Sequence, residues 1–226
     1  RARRAVLDRG KIPPRLQRLR QFHDHPRFIA AFARAVDGAR GGLPDAGVGA
    51  DLLFTAHSVP TRADREAGPP ALGGHLYSRQ VRDSARLIRS GSSFGDATDA
   101  DVELVWQSRS GPPSVPWLGP DICDHLRDRV RRGNRRPVVL CPVGFLADHV
   151  EVMWDLDTEA REVAEELDIG FRRVATPGPT RQFAELVCDL VDEVATGPTG
   201  VPETGDVRNF GSAVNGSPCA AGCCGA

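Results

Sequence analysis

Short apolar segments alternate with amphipathic ones along this chain, and that alternation constrains the fold more than any other feature. Strands are predicted over residues 51–57, 102–107, 137–143 and 171–174, and the first three of these segments are mainly apolar. Helical periodicity occurs near residues 28–36, 75–88, 121–132, 149–167 and 180–194. Since repeated strand–helix units are typical of parallel sheets covered by helices, we predict an α/β fold with a mainly parallel sheet.

Composition and charge limit the class of protein. The 226 residues are 40% hydrophobic and 26% charged, which is typical of one or two globular domains and excludes a disordered tail protein. The 29 Lys and Arg residues nearly balance 30 Asp and Glu residues, so the net charge does not favour nucleic acid. No segment has the length of a membrane span, and no signal-peptide core follows the basic start. We therefore expect a cytoplasmic protein.

Three regions differ in composition. Residues 1–40 are read as a helical remainder of a first domain or a linker, and residues 41–195 as one α/β domain. Residues 196–226 are predicted to be a flexible tail, because Gly, Pro, Thr, Ser and Asn dominate before a cysteine cluster. The chain starts without Met, which suggests a fragment or a processed product.

Polar and aromatic side chains follow three of the predicted strands. His57 ends the first, Gln107 and Ser108 follow the second, and Asp148 and His149 lie beyond the third. Ligands of open α/β sheets bind outside the carboxyl ends of the strands, so this convergence indicates a site. A single histidine at a strand end is also common as a structural residue whose ring is hydrogen-bonded to backbone.

Three carboxylates follow His149 with a spacing of four residues: Glu151, Asp155 and Glu159. On an α-helix they form one row. Two interpretations remain open. The row is either a solvated face, with acids favoured near a helix N-terminus, or a ladder of oxygen ligands that leads a divalent cation toward His149 and His57.

The segment of residues 108–120 is predicted to be a long, rigid, Pro-rich loop, and loops of this length are commonly functional. Trp117 lies in it and Trp106 precedes it. The two indoles are suited to enclosing a flat aromatic ligand, although either one is equally suited to filling a core.

The motifs together resemble those of a known family. They are Phe54-Thr55-Ala56-His57-Ser58-Val59-Pro60, Val105-Trp106-Gln107-Ser108 with Pro116-Trp117-Leu118-Gly119-Pro120, and Pro142-Val143-Gly144-Phe145 with Asp148-His149-Val150-Glu151 and Leu156-Asp157-Thr158-Glu159. Their order and spacing over residues 20–195 resemble the C-terminal two-thirds of ferrochelatases of the bacterial type with a cysteine-rich C-terminus. The resemblance implies a Rossmann-like, chelatase-like fold and insertion of Fe²⁺ into a porphyrin, the closing chemistry of haem synthesis.

The resemblance also implies roles for individual residues. His57 corresponds to the family's active-site histidine, Glu151 to its paired glutamate, and Asp155 and Glu159 to outer acidic positions that relay iron or protons. These four residues would form the metal site, and Trp106, Ser108 and Trp117 would bind the porphyrin. Metal insertion releases two pyrrole protons, and imidazole has an ordinary pKa near neutrality, so His57 is the candidate base. The implied substrate is coproporphyrin III, with protoporphyrin IX as the alternative.

In members with a cysteine-rich C-terminus, the resemblance implies a [2Fe–2S] cluster. Cys219, Cys223 and Cys224 would supply three thiolates, whereas four are the usual ligand set. The family's fourth ligand lies upstream of the active-site histidine, but no cysteine precedes Cys123 here. We expect the fourth ligand in an N-terminal portion missing from this chain. The alternative is that Cys123, Cys141 or Cys188 replaces it, although Cys141 and Cys188 are expected to be core residues.

The sequence leaves three other functions as alternatives. The chain is alternatively a fragment that binds porphyrin or iron without catalysis, or a related chelatase that inserts cobalt or nickel into a corrinoid precursor. Nucleic-acid binding through the arginines of residues 127–136 is less favoured, because they are placed to solvate a helix and its C-terminal end. The sequence is compatible with a monomer.

Overall fold

Strands and helices alternate in the protein as the sequence predicts. The computed structural model describes residues 19–68, 73–95 and 102–196. Its strands are β1 Asp51–His57, β2 Glu103–Gln107, β3 Val138–Cys141 and β4 Phe171–Arg173. Its α-helices are α1 Pro26–Gly41, α2 Thr61–Arg65, α3 Leu76–Ser90, α4 Ile122–Arg131, α5 Val150–Val152, α6 Ala160–Glu166 and α7 Arg181–Thr196.

Two further helical elements complete the described part. A 3₁₀ turn covers Pro44–Gly47. A π-helical segment, π1, covers Met153–Glu159 and joins α5 to α6 without a break. The predicted helix over residues 149–167 is therefore present, but its middle is not α-helical.

The four strands form one parallel sheet in the order β2-β1-β3-β4, which confirms the predicted parallel α/β fold. The inner strand β1 has five successive buried residues between its two ends. Residues at the carboxyl ends of β1 and β2 lie side by side, because His57 pairs in register with Gln107. Helices cover both faces of the sheet, so this edge is where side chains from different strands reach a common space.

Alternate residues of β1 face two different hydrophobic cores. Leu52 and Phe54 pack in a core with residues of α1, α3 and α7. Leu53 packs in a second core with residues of α4, π1 and α6. The period of two along the strand thus places one layer of helices on each face of the sheet.

Helix α1 is built into the first core. Pro26 occupies its first position, and His25 Nδ1 accepts a hydrogen bond of 3.2 Å from the Arg27 amide. Phe28 and Phe32 of α1 pack in the same cluster as residues of β1. The predicted domain boundary at residue 40 stays a prediction. Helix α1 itself packs in the same hydrophobic core as the sheet.

The predicted tail of residues 196–226 lies outside the described residues from position 197 onward, and so do Cys219, Cys223 and Cys224. No helix among the described residues has the length and apolar character needed to cross a membrane.

Candidate active site

His57 ends β1 and is held from two sides. Its ring Nδ1 contacts the backbone oxygen of Ser58. A carbonyl oxygen only accepts hydrogen bonds, so Nδ1 carries the hydrogen and Nε2 is left for chemistry. The hydroxyl of Tyr77 on α3 donates to the backbone oxygen of His57 over 2.8 Å. The histidine that the sequence placed at a strand end is therefore fixed in both backbone and ring.

Glu151 on α5 is the partner of His57. Its Oε1 lies 3.3 Å from His57 Nε2, and the side chains are 48% and 37% exposed respectively. A half-exposed pair exchanges protons with solvent readily and contributes little to the stability of the fold. The geometry therefore suits proton transfer better than structural support.

The loop between β3 and α5 brings Glu151 to this position. Gly144 donates a hydrogen bond from its amide to Thr55 O over 3.3 Å, and a Cβ at residue 144 would lie only 2.5 Å from the Cβ of Ala56. Only glycine allows so close an approach of the loop to β1. His149 then caps α5, since its Nδ1 accepts from the Val152 amide at 3.5 Å. The predicted role of His149 as a cation ligand stays a prediction.

Asp148 has partners away from His57. Its carboxylate accepts hydrogen bonds from Arg173 at 2.9 Å and from Thr176 at 3.1 Å. It therefore ties this loop to the end of β4 and the residues that follow it.

Asp155 lies in π1, and its Oδ2 faces the end of β2. It accepts hydrogen bonds from Ser108 Oγ and, at 3.4 Å, from Gln107 Nε2. Glu159, the last residue of π1, accepts a hydrogen bond of 3.1 Å from Trp154 Nε1. The segment that carries Asp155 and Glu159 is π-helical and not α-helical, and the predicted row of carboxylates with Glu151 stays a prediction.

The four predicted metal ligands are thus divided among different partners. His57 and Glu151 are together, whereas Asp155 and Glu159 each accept from another side chain. In the ranges that the structure describes, no three His, Cys, Asp or Glu side chains are close enough to hold a metal ion. His57 Nε2 and Glu151 Oε1 are the two of these groups that lie together, and the predicted metal site stays a prediction.

A cavity of about 220 Å³ opens beside the ends of β1 and β2. Trp106 and Trp117, both predicted to enclose a ligand, line it, and Ser58 and Arg109 lie on its wall. The loop after β1 is tied to the loop after β2, because Ser58 Oγ donates to Leu118 O over 2.8 Å. Trp106 is almost fully buried, so it serves the core and the cavity together.

A second cavity, of about 350 Å³, lies between α4 and α6 and takes in Glu159 and Cys123. Besides Glu159, its carboxylates come from Asp121, Asp124, Glu162 and Glu166. Glu159 thus borders a separate acidic space as well as contacting Trp154.

The described cysteines differ in access. Cys141 is buried, as predicted, and burial raises the pKa of its thiol. Cys188 is exposed, so its predicted place in the core is wrong: helix α7 turns Leu186 and Leu190 inward and leaves position 188 in solvent. Cys123 is half-buried, and burial raises its pKa to about 12.

Sequence reasoning missed two residues at this edge of the sheet. Gln107 is predicted to lie there, but no sequence signal indicates its contact with Asp155. Tyr77 and Arg109 gave no signal, because nothing local shows that a tyrosine on α3 reaches His57 O or that an arginine borders the cavity.

Comparison with known proteins adds an independent finding. The sequence model of the ferrochelatase family matches residues 1–195. The coproporphyrin III ferrochelatase of Nocardia farcinica is 52% identical over 99% of this chain and 61% of the relative. That of Mycobacteroides abscessus is 47% identical over 100% of this chain and 62% of the relative. The chain thus spans about three-fifths of the length of the curated relatives it matches.

A solved structure shows a weaker likeness. The crystal structure of a cobalamin (vitamin B12) biosynthesis CbiX protein from Marinobacter aquaeolei aligns with a TM-score of 0.38 and 12% identity. The alignment covers 65% of this chain and 97% of that protein. The family match over residues 1–195 includes the His57–Glu151 pair and the cavity beside β1 and β2, and on it we conclude that the chain belongs to the ferrochelatase family.

Proposed function

We propose that this chain inserts Fe²⁺ into a porphyrin, with coproporphyrin III as the substrate. The single observation that carries the proposal is the His57–Glu151 pair, with 3.3 Å between Nε2 and Oε1 at the open edge of the sheet. Family membership supports the reaction, and the name shared by the relatives supports the substrate. We propose haem biosynthesis as the setting of this reaction and the cytoplasm as its compartment.

Proton balance explains why this pair suits the reaction. A porphyrin and Fe²⁺ give a metalloporphyrin and two protons, so each insertion requires two deprotonations of pyrrole nitrogen. His57 Nε2 accepts a pyrrole proton, because Nδ1 already holds its hydrogen against Ser58 O. The Glu151 carboxylate then stabilises the imidazolium and passes this first proton to solvent, to which both side chains are open. The His57 imidazole is then neutral again and accepts the second pyrrole proton, which leaves by the same route.

Iron is the substrate metal in this proposal. His57 and Glu151 offer it one nitrogen and one oxygen, a donor pair suited to a first-row divalent ion. Asp155 and Glu159 are proposed as the outer acidic positions that relay iron or protons, supported by their place on the same helical stretch as Glu151.

The porphyrin is proposed to contact Trp106, Ser108 and Trp117. Two observations support this: both indoles line the cavity beside β1, and Ser108 follows β2 at the same edge of the sheet. Flat aromatic ligands bind favourably against indole faces. We propose no nucleic-acid partner and a monomeric chain.

A [2Fe–2S] cluster is proposed on Cys219, Cys223 and Cys224, since thiolates are the ligands such clusters require. A fourth ligand is needed. Among the described cysteines, Cys188 has an exposed thiol, whereas burial raises the pKa of Cys141 and Cys123 and so disfavours their thiolates. Anaerobic reconstitution with iron and sulfide tests whether Cys188 completes the ligand set. Cluster bands that are lost in Cys188→Ser support it, and an absorption spectrum without cluster bands contradicts Cys188 as the fourth ligand.

The test of the function is the loss of free-porphyrin fluorescence when coproporphyrin III and ferrous iron are mixed with the purified chain without oxygen. His57→Ala is expected to slow insertion ~100-fold or more, because general-base catalysis contributes about that much. His75→Ala is the matched control, since Asp64 keeps its hydrogen bonds from Ser78 when that exposed imidazole is removed.

Each outcome of this test has one meaning. Insertion that depends on His57 and not on His75 supports the proposal. A porphyrin spectrum shifted by binding without insertion contradicts it and favours a binding fragment. No spectral shift contradicts both.

A further inference from the structure

One carboxylate oxygen joins the end of β2 to π1. Ser108 Oγ and Gln107 Nε2 both donate to Asp155 Oδ2. Hydrogen bonds to an ionised acceptor are stronger than those between neutral groups, and this oxygen accepts two of them. The contact therefore fixes the middle of π1 against the sheet.

The orientation of Gln107 is set from within the sheet. Its side chain is 1% exposed, and its Oε1 accepts a hydrogen bond from Thr55 Oγ1 over 3.3 Å. Because the oxygen faces Thr55 of β1, the amide NH₂ is directed at Asp155. Polar contacts thus run from β1 through β2 to π1.

Ser108 makes its contact from an unusual backbone conformation. Its φ is 62°, in the left-handed region that non-glycine residues rarely occupy. Such conformations persist where surrounding contacts hold them, and they cluster at functional sites. The hydrogen bond from Ser108 Oγ to Asp155 is one contact that holds this backbone conformation.

We propose that Gln107 and Ser108 are positioning residues: together they form a clamp on Asp155 that keeps Glu151 beside His57. Glu151 precedes Asp155 by four residues on the continuous stretch of α5 and π1, so a fixed π1 fixes the turn that carries Glu151. The inference rests on the proposed function for its catalytic consequence. The clamp itself is a structural statement and is tested separately.

The first test is hydrogen exchange of the backbone amides of residues 151–159 in the 226-residue chain. Ser108→Gly removes the hydroxyl, and glycine adopts the positive φ without strain, so the variant is expected to fold. Loss of a hydrogen bond to a charged group should speed exchange across π1 by about tenfold. Ser110→Gly, at an exposed position in the same loop, is the control for added loop flexibility.

Faster exchange at residues 151–159 in Ser108→Gly alone supports the clamp. The proposal is overturned if these amides exchange at the wild-type rate in Ser108→Gly, or if Ser110→Gly accelerates their exchange equally. The exchange measurement does not depend on turnover. An inactive wild-type chain would therefore contradict the proposed function, while the exchange rates would still test the clamp.

The second test separates positioning from charge at Asp155. Asp155→Asn keeps an oxygen that accepts from Ser108 and Gln107, whereas Asp155→Ala keeps none. We expect kcat to fall by about tenfold or more in Asp155→Ala and by less in Asp155→Asn. KM should stay within about twofold of the wild-type value in both variants, because positioning acts on the chemical step. Equal losses in the two variants would show that the charge of Asp155 matters and not the clamp, and would overturn the proposal.

Discussion

The hydroxyl of Tyr77 donates a 2.8 Å hydrogen bond to the backbone oxygen of His57, which ties helix α3 to the end of β1. The Tyr77 ring also lies 5.9 Å from the ring of Trp106. Tyr77, which lies outside the sequence motifs, therefore supports the backbone of His57 in the candidate active site.

Tyr77 is the chain's only tyrosine, so an ultraviolet pH titration reports it directly. Burial raises its pKa to about 12, and we expect the absorbance of the folded chain to change near that pH. The folded state then binds more protons than the unfolded state between about pH 10 and pH 12, so the free energy of unfolding falls as the pH rises through this window. Tyr77→Phe should abolish the absorbance change. A midpoint near pH 10 in the folded chain would show that the hydroxyl is not buried.

Glu151→Gln keeps the size of the side chain and removes its charge. We expect iron insertion to slow by roughly 10- to 100-fold, because the imidazolium of His57 loses its counter-charge. The free energy of unfolding should change by less than about 1 kcal/mol, since both partners are partly exposed. Initial rates from porphyrin fluorescence and urea denaturation measure the two quantities. Glu162→Gln on α6 is the matched control, and an equal rate loss there would argue against a specific pair.

Arg173 should matter for stability more than for chemistry. Its guanidinium binds Asp157 through two contacts of 2.7 and 2.8 Å and Asp148 at 2.9 Å, and its side chain is 12% exposed. Arg173→Gln removes this guanidinium from both carboxylates, and Asp157 keeps only the longer contact of 3.6 Å with Arg161, so we expect a loss of about 2 kcal/mol in urea denaturation. Arg181→Gln breaks an ion pair in which the arginine is 91% exposed and should cost less than about 0.5 kcal/mol. Equal losses of unfolding free energy in the two variants would contradict the expected difference between the two ion pairs.

Thiol labelling should separate the three described cysteines. In a chain whose tail cysteines are replaced by serine, Cys188 should react with a disulfide reagent at once at pH 8. Cys123 and Cys141 should react only after denaturation, because burial raises the pKa of both thiols and the thiolate is the reactive form. Two or more fast thiols in the folded chain would contradict this assignment.

The fold was largely predictable because its signals are local. Strands β1 and β3 are short, mainly apolar runs, and each longer helix shows the periodicity of one buried face, whereas β4 carries two arginines. His57 was recognisable in the same way, because it directly follows such a run and ligands gather at that edge of a parallel sheet. Family motifs added Glu151, which spacing alone did not single out.

The sequence by itself therefore determined the order of the elements, the parallel sheet and the histidine at its edge, since these follow from patterns within a few residues. Tertiary structure alone decided that Asp155 accepts from Gln107 and Ser108, that Tyr77 supports His57 and that Cys188 faces solvent. It also made the segment Met153–Glu159 a π-helix, although the spacing of its carboxylates fitted an α-helix. The physical reason is that hydrogen bonds and packing between elements distant in the chain fix these features, and no local pattern records which residues will meet.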